Sequence, residues 1–158
     1  MNSKLTKEDK LKIAYTYAMS PPHITMEFLA NQFKVSRTTI SHVLHQSIET
    51  LEVSRSIAIK IKNKAVLNLK NNGKSPYKTI ESFSISINKA KTQIILLQKK
   101  QKHLEIEIKN CTLLIENLDS LFCDDINSSQ KKDELLSKLN TLTTEFNYIS
   151  DLCNTAIK

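Results

Sequence analysis

The apolar residues of this chain recur every three or four positions, which is the spacing of one face of an α-helix. Over the first half of the chain this pattern predicts four short helices, covering 6–19, 25–33, 36–49 and 55–70. A serine or threonine stands at or just before the start of each helix, where its side chain can accept hydrogen bonds from unpaired backbone amides. Gly73 ends the fourth helix, because glycine adopts the left-handed conformation at little cost.

A single apolar seam runs through the second half of the chain. After a helix start predicted at Ser75-Pro76, it keeps three- and four-residue spacing from Ile80 to Phe122, and Gln101 is its one polar residue. Such regularity is typical of a coiled coil, so we expect this helix to contact a second copy of the chain. The seam residues assigned to that contact are Ile87, Ile94, Leu97, Gln101, Leu104, Ile108, Ile115 and Leu118.

The seam is followed by a break at 124–129 and by a shorter apolar pattern over 135–156, which predicts a second helix folded back as a hairpin. The long helix also carries a second apolar stripe, so we infer that one of its faces packs on 135–156 and another on a partner chain. The stripe consists of Ile85, Ile95, Leu96, Ile106 and Leu113. The choice of isoleucine and leucine along the seam favours a parallel dimer, in which Gln101 would pair with its mate. A dimer of hairpins would be a four-helix bundle and is equally compatible with antiparallel packing.

Composition narrows the fold and the chemistry. The length of 158 residues suits one domain with an appended element, and we divide the chain into 1–74 and 75–158. One glycine and three prolines leave few tight turns, so the fold is predicted to be all-α. A single glycine also excludes glycine-rich phosphate loops and nucleophile elbows. No nucleophile occurs with a spaced base and orienting residue, so we predict neither enzymatic activity nor a cofactor.

The sequence carries no sign of a membrane, a disulfide or a metal. No apolar run is long enough to cross a bilayer and no cleavable signal begins the chain, so we expect a cytoplasmic protein. The three cysteines are widely spaced and are expected to stay reduced. His42 and His45 lie three residues apart without a third ligand nearby, so no metal site is predicted.

The net charge of +7 lies entirely in the first half of the chain. Residues 1–75 hold 12 lysines and arginines against 5 acidic residues, whereas residues 76–158 hold 11 of each. A concentrated positive potential attracts polyanions, so a polyanionic partner is expected on the N-terminal part.

The segment 26–45 reads MEFLANQFKVSRTTISHVLH and carries the features of one known motif. Ala30 is a small residue in the middle of the first helix, Lys34 and Val35 form a tight turn, and Ser36 can cap the second helix. This arrangement resembles the helix-turn-helix of lac-repressor-like DNA-binding proteins from bacteria and phages. The family most often has glycine where this chain has Lys34, which implies a lysine at positive φ and a cost of about 1 kcal/mol.

The resemblance implies roles for the second helix, which in this family lies in the major groove of double-stranded DNA. Its early residues contact bases, so Arg37, Thr38 and His42 are the expected readers, and Arg37 can donate two hydrogen bonds to guanine. His45 and Gln46, one turn further along, are expected to read or to position. Phosphate contacts are expected from Lys34, Ser36, Thr39, Ser41 and lysines of the first and fourth helices.

The predicted function is sequence-specific binding of double-stranded DNA by a homodimer, as in a transcriptional regulator of a bacterium, phage or plasmid. A twofold dimer would read a palindrome with half-sites about 34 Å apart. Three alternatives stay open: a ring-forming packaging subunit similar to phage small terminases, a plasmid segregation or replication-control protein, and an interaction module whose motif no longer binds DNA. Regulation would come through a protein partner on the C-terminal helices or through competition at the DNA site.

Overall fold

The computed structural model describes residues 5–121 and 126–158, with side chains from 5 to 120 and from 129 to 158. Within these ranges the chain forms six helices and no strand, which confirms the all-α prediction. The helices are α1 (Lys7–Met19), α2 (Met26–Gln32), α3 (Arg37–Glu49), α4 (Arg55–Asn71), α5 (Tyr77–Leu121) and α6 (Ile126–Ile157). Helix α6 already includes residues 126–129, which the sequence pattern assigned to the break. Phe122, the last predicted seam position, and residues 123–125 lie outside the described ranges.

The helix starts follow the predicted capping residues. The Thr6 hydroxyl accepts a hydrogen bond from the Asp9 amide at 3.1 Å, and the Asp9 carboxylate accepts one from the Thr6 amide at 2.9 Å. The Thr6 hydroxyl also donates to the Asp9 carboxylate at 2.7 Å, and this bond together with the one from the Thr6 amide holds the pKa of Asp9 below its usual value, because both favour the ionised carboxylate. Thr25, Ser36 and Ser54 cap α2, α3 and α4 with a single hydrogen bond each, accepted by the side chain from the amide three residues further on.

The core of the N-terminal bundle lies where α1 packs on α3 and α4, while α2 packs on α3. Its largest side chains are no more than 1% exposed: Ile13, Tyr17, Leu29, Ile40, Leu44, Ile48 and Ile61. These residues fall at helical spacing on their elements, so the burial follows from the apolar pattern of the sequence. Burying such a side chain contributes about 1.5–3 kcal/mol, which makes this core the main source of stability for the bundle.

Lys64 is an exception to the basic surface of α4. Its side chain is 8% exposed, and its Nζ donates to the Ser20 carbonyl oxygen at 2.8 Å and to the Ser20 hydroxyl at 3.2 Å. The same Nζ lies 5.0 Å from the centre of the Tyr17 ring, a cation–π distance. Burial lowers the pKa of Lys64. Lys64 therefore satisfies the carbonyl end of α1 and is not available to bind phosphate.

The structure divides into two compact units, and the boundary differs from the predicted one. The first unit comprises residues 1–93 and 155–158, and the second comprises residues 94–154. The first turns of α5 thus belong with the N-terminal bundle and not with the hairpin. Phe83 and Ser86, on those turns, are 1% and 2% exposed. The sequence pattern placed the division at 74/75 because a loop ends there, whereas the packing changes in the middle of a continuous helix.

In the second unit α5 and α6 form an antiparallel hairpin, as predicted. Its core joins Leu104 to Leu142, Ile149 and Cys153, with three partly buried apolar side chains packed against them: Leu97, Ile108 and Phe146. Polar contacts between the two helices include an ion pair of Lys100 with Glu145 at 2.5 Å and a hydrogen bond from the Cys111 thiol to the Leu135 carbonyl oxygen at 3.4 Å.

This hairpin changes the role of the predicted oligomerisation seam. Leu97, Leu104 and Ile108 pack on α6 of the same chain, so these residues are not free to contact a second copy. Gln101 donates from Nε2 to the Ser150 hydroxyl at 2.8 Å, which replaces the predicted pairing with its mate. The remaining seam residues are buried or half-buried: Ile87, Ile94, Ile115 and Leu118. Over Leu97, Leu104 and Ile108 the neighbour that covers the seam is therefore α6 of the same chain.

The described residues offer neither a membrane span nor a metal site. None of the described helices combines the length and the apolar character that crossing a bilayer requires. In the same part of the chain no three His, Cys, Asp or Glu side chains lie close enough together to hold a metal ion. Cys111 and Cys153 are free thiols and are buried.

Candidate nucleic-acid interface

The turn between α2 and α3 is a complete Schellman motif with a lysine in the left-handed position. Lys34 has φ of 53°, its amide donates to the Asn31 carbonyl oxygen at 3.3 Å, and the Val35 amide donates to the Ala30 carbonyl oxygen at 2.9 Å. The positive φ that the sequence implied for Lys34 is confirmed. The motif gives hydrogen-bond partners to the last carbonyl groups of α2. The first of these carbonyls lies seven residues before the start of α3, so the two helices are joined by a short, well-bonded turn.

Lys34→Gly is expected to raise the free energy of unfolding by about 0.5–1 kcal/mol, because glycine reaches positive φ without the steric cost of a Cβ. Urea denaturation followed by circular dichroism measures the change. Gly73→Ala is the matched control with the opposite sign. Gly73 occupies the same position after α4, with φ of 67° and no atom within 4 Å of an added Cβ. Gly73→Ala should therefore lower the free energy of unfolding only through the backbone strain of a Cβ at positive φ. A destabilised Lys34→Gly protein would contradict the expectation.

The start of α3 is exposed and internally capped. The Thr39 amide donates to the Ser36 hydroxyl at 3.0 Å, and the Ser36 and Thr39 hydroxyls lie 2.8 Å apart. These two residues were predicted to bind phosphate. In the structure the Ser36 hydroxyl accepts from the Thr39 amide and so caps the start of α3. Of the expected base readers, Arg37, Thr38 and His42 are exposed on the first two turns. Ser41, predicted to bind phosphate, is half-buried between them.

Arg37 is held only loosely in the free protein. Its Nε lies 3.8 Å from Glu27 Oε1, and the two side chains are 55% and 71% exposed. An exposed ion pair of this length contributes about 0–1 kcal/mol, so exchanging Glu27 for another acceptor costs little. The Arg37 guanidinium is therefore available to a ligand at the start of α3.

The second half of α3 is covered by the first turns of α5. The His45 ring stacks on Phe83 with a centroid distance of 4.1 Å and an angle of 20° between the planes. His45 Nδ1 lies 2.9 Å from the Ser86 hydroxyl, which itself donates to Glu49 Oε1 at 2.9 Å. Because Ser86 gives its proton to Glu49, it accepts from His45, and this assigns the neutral ring's proton to Nδ1. His45, which was expected to read or to position, therefore holds α5 against α3 in the free protein.

Gln46, which was also expected to read or to position, has a partner on α1 in the free protein. Its Oε1 accepts a hydrogen bond from Lys10 Nζ at 3.4 Å, so the side chain faces α1 and not the exposed side of α3. Both residues one turn beyond His42, His45 and Gln46, therefore have side-chain partners within the first unit. The sequence predicted the helix and its capping residue, but it could not show which further element would pass over the helix.

Where the first turns of α5 cover α3, the surroundings favour a neutral His45 and an ionised Glu49. Burial lowers the pKa of His45, with smaller opposing and supporting effects from Glu49, His42 and Lys89. The hydrogen bond from Ser86 is the largest cause that lowers the pKa of Glu49, and Lys89, 3.2 Å away, adds to it. The cover is consequently most stable where His45 is neutral and Glu49 is charged.

The stability of the first unit is expected to fall as the pH drops below about 6.5, the unperturbed value for histidine. The unfolded chain binds a proton on His45 more readily than the folded chain does, so stability is complete above that pH and is lost towards the lowered folded pKa. Thermal unfolding at pH about 7.5 and about 5.5 measures the loss. His45→Phe keeps the stacking and removes the titration, so its melting temperature should change less between the two pH values. Equal changes in both proteins would exclude His45 as the cause.

A groove of about 300 Å³ runs beside the start of α3, entirely within the first unit. One part of its wall carries side chains of α2 and α3, and a second part carries side chains from the end of α4 and the start of α5. The lining residues include Arg37, Thr38 and Ser41 on the first wall and Asn68, Asn72 and Thr79 on the second wall. Hydroxyls, amides and a guanidinium thus line a surface that continues from the exposed turns of α3. None of the second wall was predicted from the sequence, because the α4–α5 junction is far from the motif along the chain.

Comparison with known protein families finds no family that matches this chain, and comparisons with characterised proteins and with solved structures find no similar protein.

Proposed function

We propose that this protein binds double-stranded DNA sequence-specifically through the start of α3, acting as a transcriptional regulator. The observation that carries the proposal is the α2–turn–α3 unit. A Schellman turn joins two packed helices, and the second helix presents Arg37, Thr38 and His42 to solvent on its first two turns. The major groove of B-DNA is about 12 Å wide and admits one helix, and early residues of an inserted helix meet base edges.

The charge distribution supports a polyanionic partner. The whole excess of +7 lies in residues 1–75, on the unit that holds the α2–α3 pair. Phosphate attraction contributes the salt-dependent, sequence-independent part of DNA affinity, while contacts to base edges contribute the preference for one sequence. The first unit carries both kinds of group.

We propose further that two copies associate through the stripe of α5 that α6 leaves uncovered. Within the second unit, large apolar side chains of this stripe are each about half exposed: Ile95, Leu96, Ile106, Leu113 and Leu114. One short reading helix contacts few base pairs, so two linked copies gain affinity from simultaneous binding. This assignment replaces the predicted seam as the contact between copies, because the seam is buried within the chain.

The experiment is selection of bound duplexes from a random pool, followed by competition between the selected duplex and a random one at about 150 mM salt. Preference for the selected duplex, lost on replacing Arg37 and His42 together with alanine, supports the proposal. Equal affinity for both duplexes would contradict sequence-specific binding. Unchanged affinity of the doubly substituted protein would indicate that the motif is a scaffold.

The solution mass separates the regulator from the packaging subunit. The uncovered stripe on α5 would serve neighbours in a ring as well as the mate in a dimer, so the structure favours neither by itself. Light scattering after size exclusion should give twice the chain mass of 18.0 kDa for the dimer. A mass of about eight chains would instead favour a ring, the arrangement that the packaging alternative requires. Leu96→Lys should reduce the mass in either case, because it places a charge in the stripe.

A further inference from the structure

The longest acid-free stretch of the N-terminal half contains α4 and the α4–α5 junction. Between Glu52 and Glu81 the chain has seven lysines and arginines and no acidic residue. Repeated positive charge without compensation costs folding free energy through self-repulsion, so such a stretch is expected to serve a partner. Its cations do not all have the same freedom, and their contacts decide which of them can meet one.

Three of the seven cations are engaged within the bundle. Lys64 is buried on Ser20, as described above. Lys62 donates to the Ser84 hydroxyl at 3.1 Å, and Lys60 lies 3.4 Å from the Met19 sulfur. The other four are exposed and form no side-chain hydrogen bond or ion pair in the described part of the chain: Arg55, Lys70, Lys74 and Lys78. Three of these four lie at the end of α4, in the junction and at the start of α5.

The junction also forms the second wall of the groove beside α3. Asn72 and Thr79, which bracket Lys74 and Lys78 in sequence, line this groove together with Arg37 and Thr38. Every residue from Lys70 to Ser75 is exposed. Two backbone hydrogen bonds close the turn at Gly73: the Gly73 amide donates to the Lys70 carbonyl oxygen at 3.0 Å, and the Lys74 amide donates to the Leu69 carbonyl oxygen at 2.9 Å. Lys74 therefore stands on a turn that backbone hydrogen bonds hold in shape, and Lys78 stands on the first turn of α5.

We propose that the α4–α5 junction is a second DNA contact, in which Lys74 and Lys78 bind the phosphate backbone beside the groove that α3 enters. The proposal rests on the DNA-binding function proposed above and adds the surface that grips the backbone. Lysine and neutral hydroxyl and amide donors are the groups that contact phosphate and sugar without reading sequence. In this arrangement Arg37 and Thr38 contact bases in the major groove of the DNA. The donors of the junction contact the phosphates of an adjacent strand: Lys74, Lys78, Asn72 and Thr79. The duplex is favoured over an acidic protein because these donors continue from the reading turns of α3.

The test compares two doubly substituted proteins of equal net charge. Lys74→Ala with Lys78→Ala removes the proposed contact, and Lys131→Ala with Lys138→Ala removes two exposed lysines of α6 as the control. Dissociation constants are measured on the selected and the random duplex at several salt concentrations. Each lost phosphate contact lowers the slope of log affinity against log salt by about 0.9, so the junction variant should lose about 1.8. The weakening between about 50 and 200 mM salt should shrink by roughly tenfold.

The ratio of affinities for the two duplexes should stay the same in the junction variant, since phosphate contacts carry no sequence preference. A slope equal to that of the wild-type protein, or an equal loss in the α6 control, would overturn the proposal. Unchanged melting temperatures show that both variants fold. Failure of the DNA-binding function looks different: the wild-type protein would then show no preference for the selected duplex, whatever the junction variant does.

Discussion

Replacing Arg37 with alanine is expected to weaken binding to the selected duplex by about 1–3 kcal/mol and to relax the sequence preference at one base-pair position. The guanidinium is exposed and held only by a 3.8 Å ion pair with Glu27, so it is free to donate two hydrogen bonds to a guanine. Truncation removes both donors without touching the core. Binding to a random duplex should fall far less, because non-specific affinity depends on phosphate contacts.

Arg55→Ala is the matched control, since Arg55 is the other arginine of the chain and is also exposed. We expect it to alter salt-dependent affinity at most and to leave the preferred sequence unchanged. Competition assays with duplexes altered one base pair at a time measure both effects. A loss of the same size for Arg55→Ala, or an unchanged preference for Arg37→Ala, would contradict base reading by Arg37.

Phe83→Ala is expected to destabilise the first unit by about 3–5 kcal/mol, the usual cost of truncating a buried phenylalanine. Phe83 is 1% exposed and carries the stacked His45 ring, so its loss opens a cavity and frees the start of α5. The free energy of unfolding of a domain of this size is about 5–15 kcal/mol, so this substitution would remove a large part of it. Urea denaturation followed by circular dichroism and by the exchange of amide hydrogens in α3 measures it.

The control for Phe83→Ala is Tyr77→Ala, an aromatic truncation six residues earlier on the same helix. Tyr77 is 71% exposed, so its removal should change the free energy of unfolding by less than about 0.5 kcal/mol. A small effect of Phe83→Ala would mean that the first turns of α5 are not part of the bundle core. The boundary between the units would then lie nearer the α4–α5 loop.

The difference between predicted and observed roles of α5 has a single physical origin. Apolar residues at three- and four-residue spacing show that a helix buries one face, but they do not identify the neighbour that covers it. Phe83 and Leu104 occupy equivalent positions of one unbroken seam, yet Phe83 is buried in the N-terminal bundle and Leu104 against α6. The reassignment of Gln101 from an interchain pair to Ser150 follows from the same ambiguity.

The candidate interface was predicted in part. The caps and the left-handed turn at Lys34 depend on residues close together in sequence, and those predictions agree with the structure. The roles of His45 and Lys64 depend on Phe83, Ser86 and Ser20, which are far away along the chain. A second non-glycine residue with positive φ, Leu51 at 58°, was not predicted, because a leucine gives no local signal of a left-handed turn. It is 5% exposed, so burial offsets the strain.

By itself, the sequence determined the helical class, the start and end of most helices, the unequal distribution of charge and the motif at 26–45. Each of these depends on neighbours within one or two helical turns, where side-chain type and backbone conformation are directly coupled. The tertiary structure alone decided which apolar face meets which helix, which lysines remain exposed, and that α5 passes over α3 and forms the second wall of the groove. Those outcomes depend on contacts between residues far apart in the chain, and the same apolar or basic residue type would satisfy several of them.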